Sequence, residues 1–340
     1  KRVYKTDDYT VVFDLKRPNS RFDVHFNDRW GALTIAPEHI WQGEDPMTFQ
    51  FNPPIGTGPY VLKEYDPTGF WFIYERREDW DASPTGILYG EPAPKYVQFM
   101  YYGTAEKKVI AEARHELDMA DLTPESFIAA QERNEYIRGL YEDFPWYEIL
   151  HPCTTGATIN TSRAPYDDSD VRWALNLSLN LPEMIMTAYN GATALAAAYV
   201  PATLPFYDWF YEPMQDWLID FTIEVGGQPY NPYDANVPFL LADQARKAGN
   251  PVPTAKDEVL EMFGYGGWRF DPEAAATLLE SNGFTKVNDK WMLPDGSPWK
   301  MHLIGNTNPA HPQFKWAFQF ADQWRKFGID VDLENTDEMN

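Results

Sequence analysis

Aromatic side chains set beside glycines are the residues here whose type and spacing best suit chemistry, and that chemistry is stacking. Tyr265-Gly266-Gly267-Trp268-Arg269 follows a further glycine, Gly264. Glycines this dense around two aromatics make a loop that an ordinary core helix cannot contain. Trp146-Tyr147 and the pair Trp209 and Trp217 are further clusters. Indole and phenol faces pack on the C–H face of a flat ring such as a pyranose, while its hydroxyls turn to polar neighbours. "NTNPAH", Asn306 to His311, falls in a strand-to-helix loop, the place where α/β sheets hold ligands. Asn306, Thr307 and His311 offer hydrogen bonds to hydroxyls or carboxylates, although a plain helix N-cap explains the same residues. The candidate ligand-contacting set is therefore Trp146, Tyr147, Trp209, Tyr265, Trp268, Arg269, Asn306, Thr307 and His311. Core packing competes for every one of these aromatics.

Other chemistries fit less well. Gly56-Thr57-Gly58 has the look of a phosphate cradle, but Pro59 and the run Tyr60 to Tyr65 read as a strand, not as the helix an anion needs. Asp66-Pro67-Thr68-Gly69 then turns the chain into a second aromatic run, Phe70 to Glu75, so the unit is a hairpin fed by a glycine turn. The carboxylate pairs Asp79/Asp81, Glu116/Asp118 and Asp330/Asp332 lie in strand or turn patterns typical of solvated edges. A glycoside hydrolase, the catalytic alternative, needs two carboxylates facing one pocket. No nucleophile elbow, HExxH or P-loop is present. His39, His115 and the His151/Cys153 pair lack metal-ligand spacing, so no metal and no cofactor are expected. A net charge of −23 argues against nucleic acid and anionic membrane surfaces. The single cysteine, Cys153, excludes an internal disulfide. No apolar run reaches membrane-span length, and Lys1-Arg2-Val3-Tyr4 does not read as a signal peptide.

The elements that must position these residues are marked by caps and turns. Tyr9 to Leu15 reads as a strand, and both ends of the chain read as cut, because "KRVYKTDDYTVVFDL" opens strand-like with nothing before it to pair. Pro37 starts a short helix, and Tyr96 to Tyr101 is a further strand. Thr104 and Thr123 each cap a helix, the first running through Glu112. After Cys153 the pattern restarts: Ala157 to Asn160 as a short strand, a helix from Asp170 to Leu179 capped by Asp168 or Ser169, and a second helix opened by Pro182 and stopped at Asn190-Gly191. Phe206 to Asn236 reads as loop with short helices, and the polar stretch Asp243 to Lys256 as an insertion. "FDPEAAATLLESNGF" is the best-marked helix, with Asp271 as cap and Pro272 at its first turn. A strand at Met301 to Ile304, a helix at Pro312 to Lys326 and a strand from Ile329 should form a parallel unit. Helical spacing puts Phe314, Ala317, Phe318, Ala321 and Trp324 on one face of that helix.

An ordered set of motifs resembles one family: "DDYTVVFDLKRPNSRF", "IAPEHIWQGEDP", "GTGPYVL", "ERREDW", "RHELDMA", "DVRWALNLSL", "RFDPEAAATLLESNGF", "LPDGSPWK" and "ADQWRKFGIDV". In this order they are similar to the family 5 extracellular solute-binding proteins of ABC importers, which take up oligopeptides, nickel chelates and some oligosaccharides. Arg114-His115 and Asn180-Leu181 depart from the family pattern. The resemblance implies an α/β fold of the type II periplasmic-binding kind, two lobes plus an extra domain, incomplete at both termini. It implies that residues 1–50 close the extra domain, 51–153 belong to lobe I and 154–340 to lobe III. It further implies a non-enzymatic, monomeric, periplasmic or extracellular component, membrane-associated through an ABC permease. The tryptophan excess favours an oligosaccharide as ligand, with an oligopeptide as the alternative; a peptide-anchoring acid would lie beyond Asn340.

Overall fold

The computed structural model describes residues 2–27, 35–51, 54–146, 154–200, 206–308 and 312–336. The chain divides into two compact units, one up to Tyr101 and one from Tyr102.

In the first unit, strands β1 (Arg2–Asp7) and β2 (Thr10–Asp14) form an antiparallel hairpin, with Val3 opposite Phe13. The opening segment therefore finds its partner within itself. Asp7 makes the turn: its carboxylate accepts the Tyr9 N–H at 2.8 Å. Phe13 then packs on Phe22 and Phe26, the latter on the short helix α1 (Val24–Asn27). In α2 (Glu38–Trp41), Pro37 stands at the cap, not inside the first turn.

Strands β3 (Tyr60–Tyr65), β4 (Trp71–Arg76) and β5 (Tyr96–Met100) make an antiparallel sheet in that order. The Asp66–Gly69 turn closes as its residue types require, with Gly69 at φ 84° and its N–H donating to the Asp66 carbonyl at 2.9 Å. Arg77, just past β4, donates to the carbonyls of Gly56 and Gly58, so the glycine stretch is a turn clamped to the sheet. Phe72 stacks on Phe99 across neighbouring strands at 4.8 Å. Ser83 caps α3 (Pro84–Tyr89), its hydroxyl accepting the Gly86 N–H.

The second unit is mainly helical. Helices α4 (Ala105–Ala113) and α5 (Pro124–Gln131) enclose a small core of Val109, Phe127, Ala130 and Ile137. Asp168 caps α6 (Ser169–Leu177) by accepting the Asp170 N–H, and Asn180 caps α7 (Leu181–Tyr189), which Asn190 ends in the left-handed region. Ala157 to Asn160 forms no strand: it has the apolar alternation, but no ladder forms beside it among the described residues. Within Phe206 to Asn236 the chain is more ordered than its prolines suggest. A π-helical turn over Tyr207–Tyr211 runs straight into α8 (Glu212–Asp220), with Pro213 in the first turn, where its missing N–H costs nothing. The hairpin β6 (Ile223–Val225) and β7 (Gln228–Tyr230) follows, then β8 (Tyr233–Asp234).

The polar stretch from Asp243 begins inside α9 (Val237–Lys247), whose apolar stripe Val237, Leu241, Ala242 and Ala245 is buried against α7 and α10 (Lys256–Phe263). The polar residues are that helix's solvent face. Strand β9 (Gly267–Trp268) pairs with β8, and α11 (Pro272–Ser281) packs on α6. Asp271 serves α11 twice: one carboxylate oxygen accepts the Ala274 N–H, the other the Tyr230 hydroxyl at 2.8 Å.

After the hairpin β10 (Thr285–Val287) and β11 (Lys290–Met292), strand β12 (Lys300–Asn306), helix α12 (Pro312–Phe327) and strand β13 (Asp330–Thr336) form the parallel unit expected, in register from Lys300 opposite Asp330 to Asn306 opposite Thr336. The buried face of α12 is Ala317, Phe320, Ala321, Trp324 and Phe327, while Phe318 is 42% exposed. The helical wheel is right in period and rotated by a fraction of a turn, since Phe320 and not Phe318 enters the core with Trp291, Trp299 and Leu278.

Candidate functional site

A cleft of about 1560 Å³ opens in the second unit. One wall comes from α4, α5 and the segment after them (Glu112, Phe127, Ile137), the other from residues 154–199 and α12. Trp146 stands between these walls at φ 61°. Its indole meets Phe127 at 5.4 Å and Phe144 edge-on at 5.1 Å, so it packs against the α4–α5 core and also against the core around α7 and α9.

Of the residues singled out by type, Trp146 and Trp268 line the cleft. Asn306 ends β12 and Thr307 follows it, one step short of the cleft: the Asn306 carboxamide accepts the N–H of Asn308, and Asn308 is the lining residue. Trp209 sits on the π-helical turn, 77% exposed, away from the cleft lining. The Tyr265 ring packs edge-on against Tyr207 at 5.2 Å, and Arg269 donates from Nε to the Asn231 carbonyl at 3.0 Å. Tyr147 and His311 lie outside the described residues.

The glycine-rich loop that carried the sequence argument thus has a structural explanation. Gly264 ends α10 at φ 95°, Gly266 leaves room for the buried Tyr233 ring, and Gly267 pairs with Asp234. Of the carboxylate pairs, Asp330 and Asp332 face outward on β13, Asp79 is held by Arg77 at 2.6 Å, and Glu116 and Asp118 are exposed, although Asp118 also lines the cleft near Glu112.

Residue types alone missed most of the lining. Tyr189, Trp316 and Glu112 belong to it, and their helical periods gave the only signal, which core residues share. Tyr189 and Trp316 meet at 5.6 Å.

The cleft's cations are already engaged. Arg172 donates to the carbonyls of Tyr166 and Asp167 at 2.7 and 2.9 Å, Arg138 to those of Ile137 and Glu135, and Lys108 to that of Asp121. Lys315 pairs with Glu125 at 3.0 Å. Glu112 differs: one of its carboxylate oxygens is buried and has no hydrogen-bond partner. Burial raises its pKa, the charge of Asp118 adds to that, and His115 opposes it. A carboxyl whose folded pKa lies above its unfolded value favours folding while protonated, and that contribution is lost as pH rises through the folded pKa. Glu112→Gln should therefore raise Tm at pH 7 by on the order of 1–2 °C, with the gain vanishing near pH 4, as read by calorimetry at both pH values. An equal shift at both would mean that ionisation of Glu112 plays no part.

Among the described residues no three His, Cys, Asp or Glu side chains gather as a metal site, and no helix is long and apolar enough to cross a membrane.

A family model described as bacterial extracellular solute-binding proteins, family 5 Middle, matches residues 1–340. The chain belongs to this family. This family 5 protein is 25% identical to the uncharacterized protein y4wM of Sinorhizobium fredii, covering 99% of this chain and 48% of the relative. It is 25% identical to the di/tripeptide-binding protein 2 of Pseudomonas aeruginosa, covering 75% of this chain and 45% of the relative. Among solved structures it is similar in fold to a mannohexaose-bound periplasmic oligopeptide-binding protein of an oligopeptide ABC transporter from Thermotoga maritima. That likeness has a TM-score of 0.64 at 18% identity, over 99% of this chain and 53% of the other. The chain spans less than half the length of these curated relatives. The fold is the type II periplasmic-binding kind.

Proposed function

We propose that this family 5 protein is the substrate-binding component of an ABC importer, capturing an oligopeptide-type solute and delivering it to a membrane permease from the periplasmic or extracellular side, without catalysis. The observation that carries the reading is the cleft: at about 1560 Å³ it exceeds the roughly 300–1,000 Å³ of an ordinary small-molecule pocket, which suits an oligomer. Its lining mixes apolar side chains with polar groups. The exposed Met119, Tyr136, Leu140 and Tyr199 among them suit a ligand with side chains of its own. In this reading residues 1–50 close the extra domain, 51–153 belong to lobe I and 154–340 to lobe III, and the protein acts as a monomer.

An oligosaccharide is the second reading. It is favoured by Trp146, Trp268 and Trp316 in the lining, whose faces suit pyranose rings.

Native mass spectrometry of the freshly purified protein separates the two. The expected result is a heterogeneous set of retained peptide masses. A ladder spaced by one hexose or pentose would install the oligosaccharide instead. Turnover of either class of oligomer would overturn the non-catalytic assignment.

A further inference from the structure

A second, smaller cavity of about 300 Å³ lies beside the cleft in the same unit. Helix α8 and the residue following it supply Met214, Trp217, Leu218 and Phe221, spaced so that they fall on one helical face. Trp173 and Trp268 supply the facing wall. The rings are ordered as a box: Trp217 stacks on Phe221 at 4.9 Å and 30°, and Trp173 meets Trp268 edge to face at 4.9 Å and 87°. No polar atom reaches the surface of the cavity. Trp217 is 52% exposed, a large indole held by a stack while much of it still faces water.

Two residues, Ala198 and Trp268, line both this cavity and the cleft, so the two voids share a wall. From this adjacency we infer that the aromatic box is a subsite for one apolar ring-bearing side chain of the solute held in the cleft. The inference rests on the solute-binding reading and adds a substrate preference to it. A hydroxyl or charge set in the box would lose part of its hydration and find no protein partner there, whereas a phenyl or indole ring loses only unfavourable hydration. Edge-to-face and offset contacts with Trp173, Trp217 and Trp268 are available to such a ring. A sugar residue can set its C–H face on Trp268 from the cleft, but its hydroxyls would find no protein partner inside the box, so the box favours an aromatic side chain over a sugar.

The test compares tetra-alanine with the four tetrapeptides carrying one tryptophan in place of an alanine, by titration calorimetry on the whole protein. In parallel, 5-fluoroindole binding is followed by its fluorine resonance. At least one tryptophan peptide is expected to bind about tenfold tighter than tetra-alanine, the gain of burying one aromatic ring in part. That ratio should fall to near one in Trp217→Ala and survive in Trp217→Phe, with 5-fluoroindole binding following the same order. Equal affinity for all five peptides, or a preference that persists in folded Trp217→Ala, overturns the inference. So does failure of 5-fluoroindole to bind the wild type. If 5-fluoroindole binds in a Trp217-dependent way while no tetrapeptide binds, the aromatic box stands and the peptide reading of the cleft falls.

Discussion

Replacing Trp324 by alanine should cost about 3–5 kcal/mol of stability, the range for removing a large aromatic from a packed core. Trp324 is 2% exposed and joins three elements at once. Its ring stacks on Phe320 one turn earlier in α12 at 5.3 Å, and it lies in the same core as Leu278 of α11. Its Nε1 donates to the carbonyl of Leu175 at 3.0 Å. That carbonyl belongs to the last turn of α6, where intrahelical partners run out, and the Ser178 hydroxyl is its other donor. Trp324→Phe separates the two contributions, because it keeps most of the ring and removes the N–H; a loss of about 1–2 kcal/mol is expected. Urea unfolding of the three proteins measures both. Equal midpoints for wild type and Trp324→Ala would refute the placement of this helix.

Gly266→Ala should cost about 2–3 kcal/mol, a large effect for a single methyl group. A Cβ at this position would stand 2.5 Å from Cζ of Tyr233 and closer still to its hydroxyl. The tyrosine cannot retreat cheaply: it is 3% exposed, and its hydroxyl donates to Gln215 at 2.9 Å and lies 3.3 Å from the Tyr265 carbonyl. Pairing the change with Tyr233→Phe is diagnostic, since losing the hydroxyl relieves the closest contact. The double variant should be destabilised by less than the sum of the two single changes. Strict additivity in urea unfolding would mean that something other than the Tyr233 ring requires glycine at position 266.

What could be read from the sequence divides by range. Asp168 and Asp271 announce their helices because a cap is a contact between residues two or three apart, and residue types suffice for it, whereas α7 is announced by Pro182 and its cap Asn180 goes unread. The Asp66–Gly69 hairpin turn and the parallel unit around α12 are legible on the same ground. The wheel of α12 fails by a small rotation because Phe318 and Phe320 are equally apolar, and only the partners, Trp291 and Trp299, choose between them. The site is less legible still. Tyr265 and Arg269 share a loop with Trp268, yet only Trp268 reaches the cleft, since the glycines beside it serve Tyr233 and the end of α10. Glu112 and Trp316 look like any other helical residues until α4 and α12 come together around one void.

Trp146 fastens two bodies of side chains with a single ring, and this has a mechanical consequence. Sliding the α4–α5 core past the core around α7 and α9 would have to shear the indole off Phe127 or off Phe144. Such a joint behaves as a rivet and not as a bearing: held by both cores at once, it resists their translation past one another.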